Sequence, residues 1–318
     1  MSLSCKALKV IIFLFQIIIV FCFIPRALAS EKLDYRLEPI QIAEGTYVFI
    51  GAKEDFSYEN GGNIVNTGFI VTERGVIVID TGSSYLYGQQ MRQAISKITD
   101  KPIIKVLNTH HHPDHFLGNQ AYDDVPIYAL AETVKLVKRD AEGFLDNIYR
   151  MSGSWMSGTD FSTVEIKPLV LKQEKIANHS LRYIPLSGHT EADLVILDET
   201  TGVLFTGDLV FHNRTLTTAH AEPEHWLKSL DAIKEIDFNV IVPGHGEVAN
   251  NIEPVEQTRD YLIWLESTIK QAVTQGLDMT EVLALPIPAR FSGFSVLKRE
   301  YTRSVSHRYP VYEKLIFN

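Results

Sequence analysis

The 318-residue chain is long enough to bury a large core, and its net charge of −9 argues against a nucleic-acid backbone or an anionic lipid surface as its partner. Both of its cysteines, Cys5 and Cys22, fall in the first 22 residues. Thiolate catalysis, disulfides and cysteine metal ligands are therefore excluded from everything downstream.

In chain order, Lys6 and Lys9 precede the apolar run Val10 to Ile24, and Ala27-Leu28-Ala29 supplies an A-x-A arrangement of small residues. This is the pattern of a secretory signal peptide over residues 1–29, cleaved after Ala29. A retained anchor is the alternative, but the run falls short of the roughly 20 residues a span requires and contains Gln16. Cleavage leaves one domain, 30–318, expected to be periplasmic or secreted. Removal of Lys6, Lys9 and Arg26, with no acid before Glu31, brings its charge to −12. No later stretch is apolar enough to span a bilayer, so stable membrane insertion of the remainder is not expected.

Thr46 to Ile50 reads as a strand by its β-branched and aromatic content. Gly51 to Gly62 is loop-like, and Phe69–Thr72, Glu73-Arg74-Gly75 and Val76–Ile79 form a hairpin signal. Helical spacing appears over Gln89 to Ile98, and Ile103 to Leu107 is a buried-strand run. Glu132 to Glu142 is helix-like. The small-residue stretch Met151 to Gly158 either caps a site, with Trp155 touching substrate, or is a connector around a packed Trp, the commoner use. Val164–Leu171, Leu181–Leu186, Leu194–Leu197 and Val203–Phe205 make a second strand set. Amphipathic helices follow at Leu227 to Ile236 and Tyr261 to Ile269. Strands then helices, twice over without a linker, predict a single α/β domain of two sheets packed face to face with helices outside.

The chemistry gathers after the strand at Ile103–Leu107. His110-x-His112-x-Asp114-His115 puts three imidazoles and a carboxylate in one turn. Side chains two apart in extended backbone point the same way, so His110 and His112 can grip one ion while Asp114 and His115, past Pro113, face another. Imidazole nitrogen and carboxylate oxygen bind zinc at about 2.0–2.2 Å. Gly188-His189, Thr206-Gly207-Asp208 and Pro243-Gly244-His245-Gly246 each set one more ligand-type residue beyond an apolar run, in a Gly-marked turn. Asp80, at the end of Val76–Ile79, is either a turn residue or a group that orients a ligand. By alternation His111 points away from the ions. His212, beside Asn213 and Arg214, either binds a substrate anion or lies on an ordinary loop; His179, His220, His225 and His307 have no partner pattern and read as bystanders.

These ordered motifs, with Val78-Ile79-Asp80-Thr81-Gly82 upstream, resemble those of the metallo-β-lactamase superfamily. More narrowly, Asn60-Gly61-Gly62-Asn63-Ile64-Val65-Asn66-Thr67-Gly68 together with His112-Pro113-Asp114-His115-Phe116-Leu117-Gly118-Asn119 is similar to the quinoprotein relay system zinc metallohydrolases, exported proteins associated with periplasmic quinoprotein dehydrogenases. The resemblance implies an αββα sandwich. It implies two zinc ions, one on His110, His112 and His189, the other on Asp114, His115 and His245, with Asp208 bridging. It assigns Asp80 to the outer shell.

From that ligand set follows an expected hydrolase. A water between the ions loses its proton near neutral pH, attacks a carbonyl, and is oriented by the second oxygen of Asp114. Esters, thioesters, lactones and amides of small molecules are the expected substrates. Asp208 stands where one group of β-lactamases has Cys, which places antibiotic hydrolysis in doubt. The basic tail from Lys298 to Arg308 does not match the thiol-substrate segment of the thioesterase branch residue by residue. Two rivals use the same ligands: an iron-dependent oxidoreductase or dioxygenase, since these donors also suit iron, and a non-catalytic metal-binding accessory of a periplasmic dehydrogenase.

Overall fold

The computed structural model describes residues 33–170 and 172–317. The segment read as a signal peptide, with Cys5 and Cys22, lies outside the described residues. Leu33 and Asp34 belong to a separate N-terminal unit, and the account below concerns the compact unit from Tyr35 onward.

Period-two burial explains why the strands read as unbroken apolar runs. In β10 (Asp193–Asp198) Leu194 and Ile196 face the opposite sheet, while Val195 and Leu197 face helices. A strand covered on both sides needs apolar residues at every position.

The first sheet runs in sequence order, β1 (Ile40–Ala43), β2 (Thr46–Phe49), β3 (Thr67–Val71), β4 (Val76–Ile79), β5 (Ile103–Leu107), β6 (Ile127–Ala129) and β7 (Ile166–Pro168). It is antiparallel through β4 and parallel from β4 to β7. The second has the order β12 (Val240–Gly246), β11 (Val203–His212), β10, β9 (His179–Leu186) and β8 (Gln173–Ile176). Only its β11–β12 pair is parallel. Val48, Ile70, Ile77 and Leu107 of the first sheet meet Leu181, Ile196, Val203 and Phe205 of the second in the central core.

Outside the second sheet, α4 (Pro223–Lys234), α5 (Glu253–Thr274) and α7 (Leu297–Phe317) pack through Trp226, Leu230, Tyr261, Leu265, Tyr301 and Val305. Against Phe116 and Leu117, α3 (Ala131–Ser152) sets Val137, Ala141 and Ile148. Among the described residues the other α-helices are α1 (Tyr85–Ser96), α2 (Pro113–Phe116) and α6 (Met279–Leu283). The αββα arrangement is the expected one.

Boundaries moved where side chains act as caps or where pairing continues. Helix α1 begins at Tyr85, before the Gln89 read from spacing, because the Ser84 side chain accepts from the Tyr87 N–H. Helix α3 runs to Ser152 and a 3-10 turn follows at Gly153–Met156, so all of the expected 151–158 connector but Ser157 and Gly158 is helical. The strand expected over 164–171 is only Ile166–Pro168.

Candidate metal centre

Four chain segments bring seven ligand-type residues to one rim. After β5, the turn Asn108–His112 is held by Leu194 N–H, which donates to Thr109 O across the two sheets at 2.8 Å. His112 has extended backbone and caps α2, whose first residue Pro113 fixes the turn into helix. His189 follows β9. Asp193 fastens its turn by accepting from the backbone N–H groups of His189 and Thr190 at 3.1 and 3.0 Å. Asp208 and His245 lie within β11 and β12, not beyond them as the apolar runs suggested, because pairing resumes at Phe211 with His245 after an irregularity. Gly244 makes that register possible, since a Cβ there would lie 1.9 Å from Asp208 Oδ1.

The tautomers follow from outer partners. Thr109 Oγ1 donates to Asp80 Oδ2 at 2.8 Å, so it accepts from His110 Nδ1 at 3.1 Å and leaves Nε2 with its lone pair. His115 Nδ1 donates to Asp80 Oδ2 at 2.7 Å, and His245 Nδ1 to Ile64 O at 2.6 Å. All three Nε2 atoms then point lone pairs inward. His112 Nδ1 lies 2.8 Å from His189 Nε2.

Asp208 sits where the two sets meet. Its Oδ2 is 3.4 Å from His189 Nε2 and 3.1 Å from His245 Nε2, and its Oδ1 is 3.1 Å from His115 Nε2. Asp114 Oδ2 is 3.4 Å from His245 Nε2. The ligand atoms of His110, His112, His189 and Asp208 lie within 4.8 Å of one another, as do those of Asp114, His115 and His245. His110 Nε2, His115 Nε2 and Asp208 Oδ1 are buried and make no hydrogen bond. Buried lone pairs converging without donors between them are unfavourable unless a cation sits among them. One set of three imidazoles and a carboxylate, and one of two imidazoles and a carboxylate, fit a divalent ion each.

The electrostatics agree. Burial and the neighbouring imidazoles hold His110 and His112 well below the ordinary histidine value, and burial takes His189 down to about 3. All three are therefore neutral, as ligands must be. Burial opposes charge on His115, but Asp208, Asp80 and Asp114 outweigh it and raise its pKa. For Asp208 the upward push of burial is overcome by His245 and His115, so it is ionised.

The sequence-predicted residues divide clearly. Asp80, at φ +56°, binds Thr109 N–H and His115 Nδ1 at 2.8 and 2.7 Å, the geometry of a group that orients ligands. The Asn60–Gly68 stretch buttresses β12: Ile64 O accepts a hydrogen bond from His245 Nδ1, and Asn66 Nδ2 donates to Pro243 O and Gly246 O at 2.9 and 2.8 Å. His111 belongs to neither set: its Nε2 lies 3.3 Å from Asp140 Oδ2, and it forms with His112 and His220 a third histidine group whose ligand atoms lie within 4.8 Å of one another.

Two candidates for substrate contact lie elsewhere. Trp155 is buried, its ring centroid 4.4 Å from that of Tyr35, and packs over Gly61 as the core of a connector. His212 Nδ1 donates to Glu247 O at 2.8 Å. Neither lines the cavity described next.

A cavity of about 530 Å³ opens over His112, Asp114, Asp208 and His245. Phe56, Ile64, Phe144, Ile148 and Met151 form its apolar wall, while α7 supplies Glu300, Arg303 and His307 at helical spacing. Arg303 spans Asp55 Oδ2 at 2.7 Å and Glu300 Oε1 at 2.9 Å. His220, read as a bystander, lines this cavity and places Nδ1 2.8 Å from His112 Nε2; His307 lines it too. A lone histidine on a loop carries no spacing signal, so only the fold could reveal the contact. A second cavity, about 340 Å³ behind Phe116 and Leu117, has no histidine or aspartate in its lining.

Comparison with known proteins agrees with this geometry. The family model described as Metallo-beta-lactamase superfamily matches residues 60–245. The linear primary-alkylsulfatase of a Pseudomonas species is 24% identical over 281 residues, 75% of this chain and 53% of that protein. The chain thus spans about half the length of that relative. Metallo-beta-lactamase IND-1 of Chryseobacterium indologenes is 24% identical over 57% of this chain and 72% of its own. Among solved structures, metallo-beta-lactamase IND-7 superposes with a TM-score of 0.57 at 22% identity, covering 73% of this chain and 100% of that one. A metallo-beta-lactamase from Pontibacter korlensis gives 0.56 at 19%, covering 72% and 99%.

Proposed function

The chain belongs to the metallo-beta-lactamase superfamily, and on that premise we propose that it is an exported, zinc-dependent hydrolase of small molecules. The observation that carries this reading is the convergence of two buried ligand sets on Asp208, with His110 Nε2, His115 Nε2 and Asp208 Oδ1 lacking hydrogen bonds. His110, His112 and His189 would hold one ion, Asp114, His115 and His245 the other, and Asp208 would touch both.

Two zinc ions, when bound, supply a Lewis acid and a water acidified to near neutral pH. The chain does the rest. Asp114 lines the cavity and places Oδ2 3.4 Å from His245 Nε2, so its other oxygen can accept a proton from the nucleophile and return it to the leaving group. Asp80, Ile64 O and Thr109 fix the imidazoles beforehand, so little reorganisation accompanies the reaction. Phe144, Ile148 and Met151 exclude water from one side of the cavity and suit an apolar substrate body.

Esters, thioesters, lactones and amides are the bonds this arrangement suits, and the alkylsulfatase relative adds sulfate esters to the panel. The finer assignment, to metallohydrolases serving a periplasmic quinoprotein dehydrogenase, rests on the resemblance over Asn60–Gly68 and His112–Asn119. Export rests on residues 1–29. Among the described residues no helix is long and apolar enough to cross a membrane.

The test is hydrolysis of that panel by zinc-loaded protein and by Asp114→Asn. Removal of one proton-transfer group should cost about 10²–10⁴-fold in kcat. Equal turnover by both proteins would remove Asp114 from the mechanism. Absence of hydrolysis across all five bond classes, with dioxygen consumed by iron-loaded protein instead, would replace the hydrolase with the oxidoreductase.

A further inference from the structure

Every ligand imidazole with an identified outer partner but one rests on an oxygen: Thr109 Oγ1 for His110, Asp80 for His115, Ile64 O for His245. The exception is His112, whose Nε2 meets another imidazole, His220 Nδ1, at 2.8 Å. Rings of the two are 5.1 Å apart by centroid, and His220 is 5.9 Å from Phe144 in edge-on contact. Both His220 and Phe144 line the cavity above the metal site.

The loop that carries His220 is fastened on both sides. Thr218 Oγ1 donates to Ser304 Oγ of α7 at 2.9 Å, and Arg308 Nη1 donates to Ala221 O at 3.3 Å. Glu222 N–H donates to Gly188 O at 2.8 Å, tying the loop to the turn that presents His189. His220 is thus held against His112 by an element outside the metal turn.

We propose that His220 both positions His112 and presents an N–H donor to the substrate. The reasoning is one of proton counting and rests on the metal reading above. If His112 gives its Nδ1 lone pair to the ion shared with His110 and His189, its proton must lie on Nε2. That proton is donated to His220 Nδ1, which must then be the unprotonated nitrogen of its ring. The proton of His220 is consequently on Nε2, a neutral donor on a residue that lines the cavity. Metal binding at one nitrogen of His112 therefore sets the tautomer of a second histidine in the substrate cavity. The ligand this donor takes is an oxygen acceptor, the carbonyl, carboxylate or sulfonyl oxygen of a substrate whose scissile bond lies over Asp208.

Two near-isosteric variants separate the roles. In His220→Asn, the amide oxygen replaces Nδ1 and keeps an acceptor for His112, but the Nε2 donor is lost. In His220→Gln, the amide nitrogen replaces Nε2 and the acceptor is lost. Zinc affinity is measured by competition with a chromogenic chelator, and acetate, as the minimal oxygen-acceptor probe, is titrated into zinc-loaded protein. The Gln variant should bind zinc about 10–100-fold less tightly, and the Asn variant within about threefold of wild type. The Asn variant should bind acetate about tenfold more weakly, the lower end of what a hydrogen bond to a charged group contributes. Long-range proton–nitrogen spectra of zinc-loaded wild type should show His220 protonated at Nε2. Protonation at Nδ1, unchanged zinc affinity in the Gln variant, or unchanged acetate affinity in the Asn variant would overturn the proposal while leaving the hydrolase reading intact. A wild type that takes up no zinc would overturn both.

Discussion

Replacement of Gly244 by Ala perturbs the metal site through one methyl group that is not itself a ligand. The new Cβ would stand 1.9 Å from Asp208 Oδ1, 2.8 Å from Gly207 C and 2.9 Å from Asp208 N. A comfortable carbon–oxygen approach is about 3.3 Å, so the carboxylate must retreat by roughly 1.4 Å. Metal coordination tolerates deviations of only about 0.2 Å. Gly244 is not among the residues with positive φ, so alanine is not strained by its own backbone there, and the cost comes from crowding between β11 and β12. Overpacking of this kind costs about 1–3 kcal/mol, which corresponds to roughly 2–12 °C in Tm for a domain of this size. Thermal melts with and without zinc, beside zinc uptake, provide the assay. The metal-free Gly244→Ala protein should melt lower by that margin and, unlike wild type, gain little from zinc. Gly143→Ala, on α3 with nothing within 4 Å of its added Cβ, is the control and should gain about 0.5–1 kcal/mol. A Gly244→Ala protein that binds zinc as tightly as wild type would refute the placement of Asp208 between the ligand sets.

Asp80→Asn keeps a side chain that tolerates φ +56° but exchanges the acceptor of His115 Nδ1 for an amide. Zinc affinity should fall about 10–100-fold, read by chelator competition, with the fold retained by circular dichroism. At the end of β10, burial raises the Asp198 pKa, but hydrogen bonds from His179, Thr201 and the Thr200 backbone outweigh it and bring it below the ordinary carboxylate value. A depressed folded-state pKa stabilises above the unfolded value of about 3.9 and is lost as pH falls through the folded one. Asp198→Asn should therefore be less stable than wild type at pH 7 by about 1–3 kcal/mol, and the gap should narrow in denaturant melts taken below about pH 4. A gap that stays constant down to pH 3 would contradict that assignment.

Most of the metal site was legible because its ligands sit in one short turn or directly beside strand-forming runs. His110, His112, Asp114 and His115 occupy six consecutive positions, and His189, Asp208 and His245 each adjoin a glycine in an apolar context. The role of Asp80 was open on residues alone, since an Asp-x-Gly turn has the same composition whether or not its carboxylate reaches His115. His220 was illegible for a different reason. Its partner is 108 positions earlier in the chain, and the contact depends on Thr218 docking to Ser304. For Trp155 the commoner of its two readings holds: a large aromatic among small residues fits a substrate lid or a connector around a packed ring, and Tyr35 and Gly61 bury it as the latter. The tail from 298 to 308 showed its basic charge but not that Glu300, Arg303 and His307 share the face of α7 turned to the cavity.

Metal content of the chain from Ser30 onward, beside Asp208→Ala, tests the central claim most directly. The account predicts close to two zinc ions per chain in the parent, because two buried ligand sets meet at Asp208, and fewer in the variant, which loses the carboxylate common to both. Iron in place of zinc, or a single ion whose occupancy is indifferent to Asp208→Ala, would contradict it.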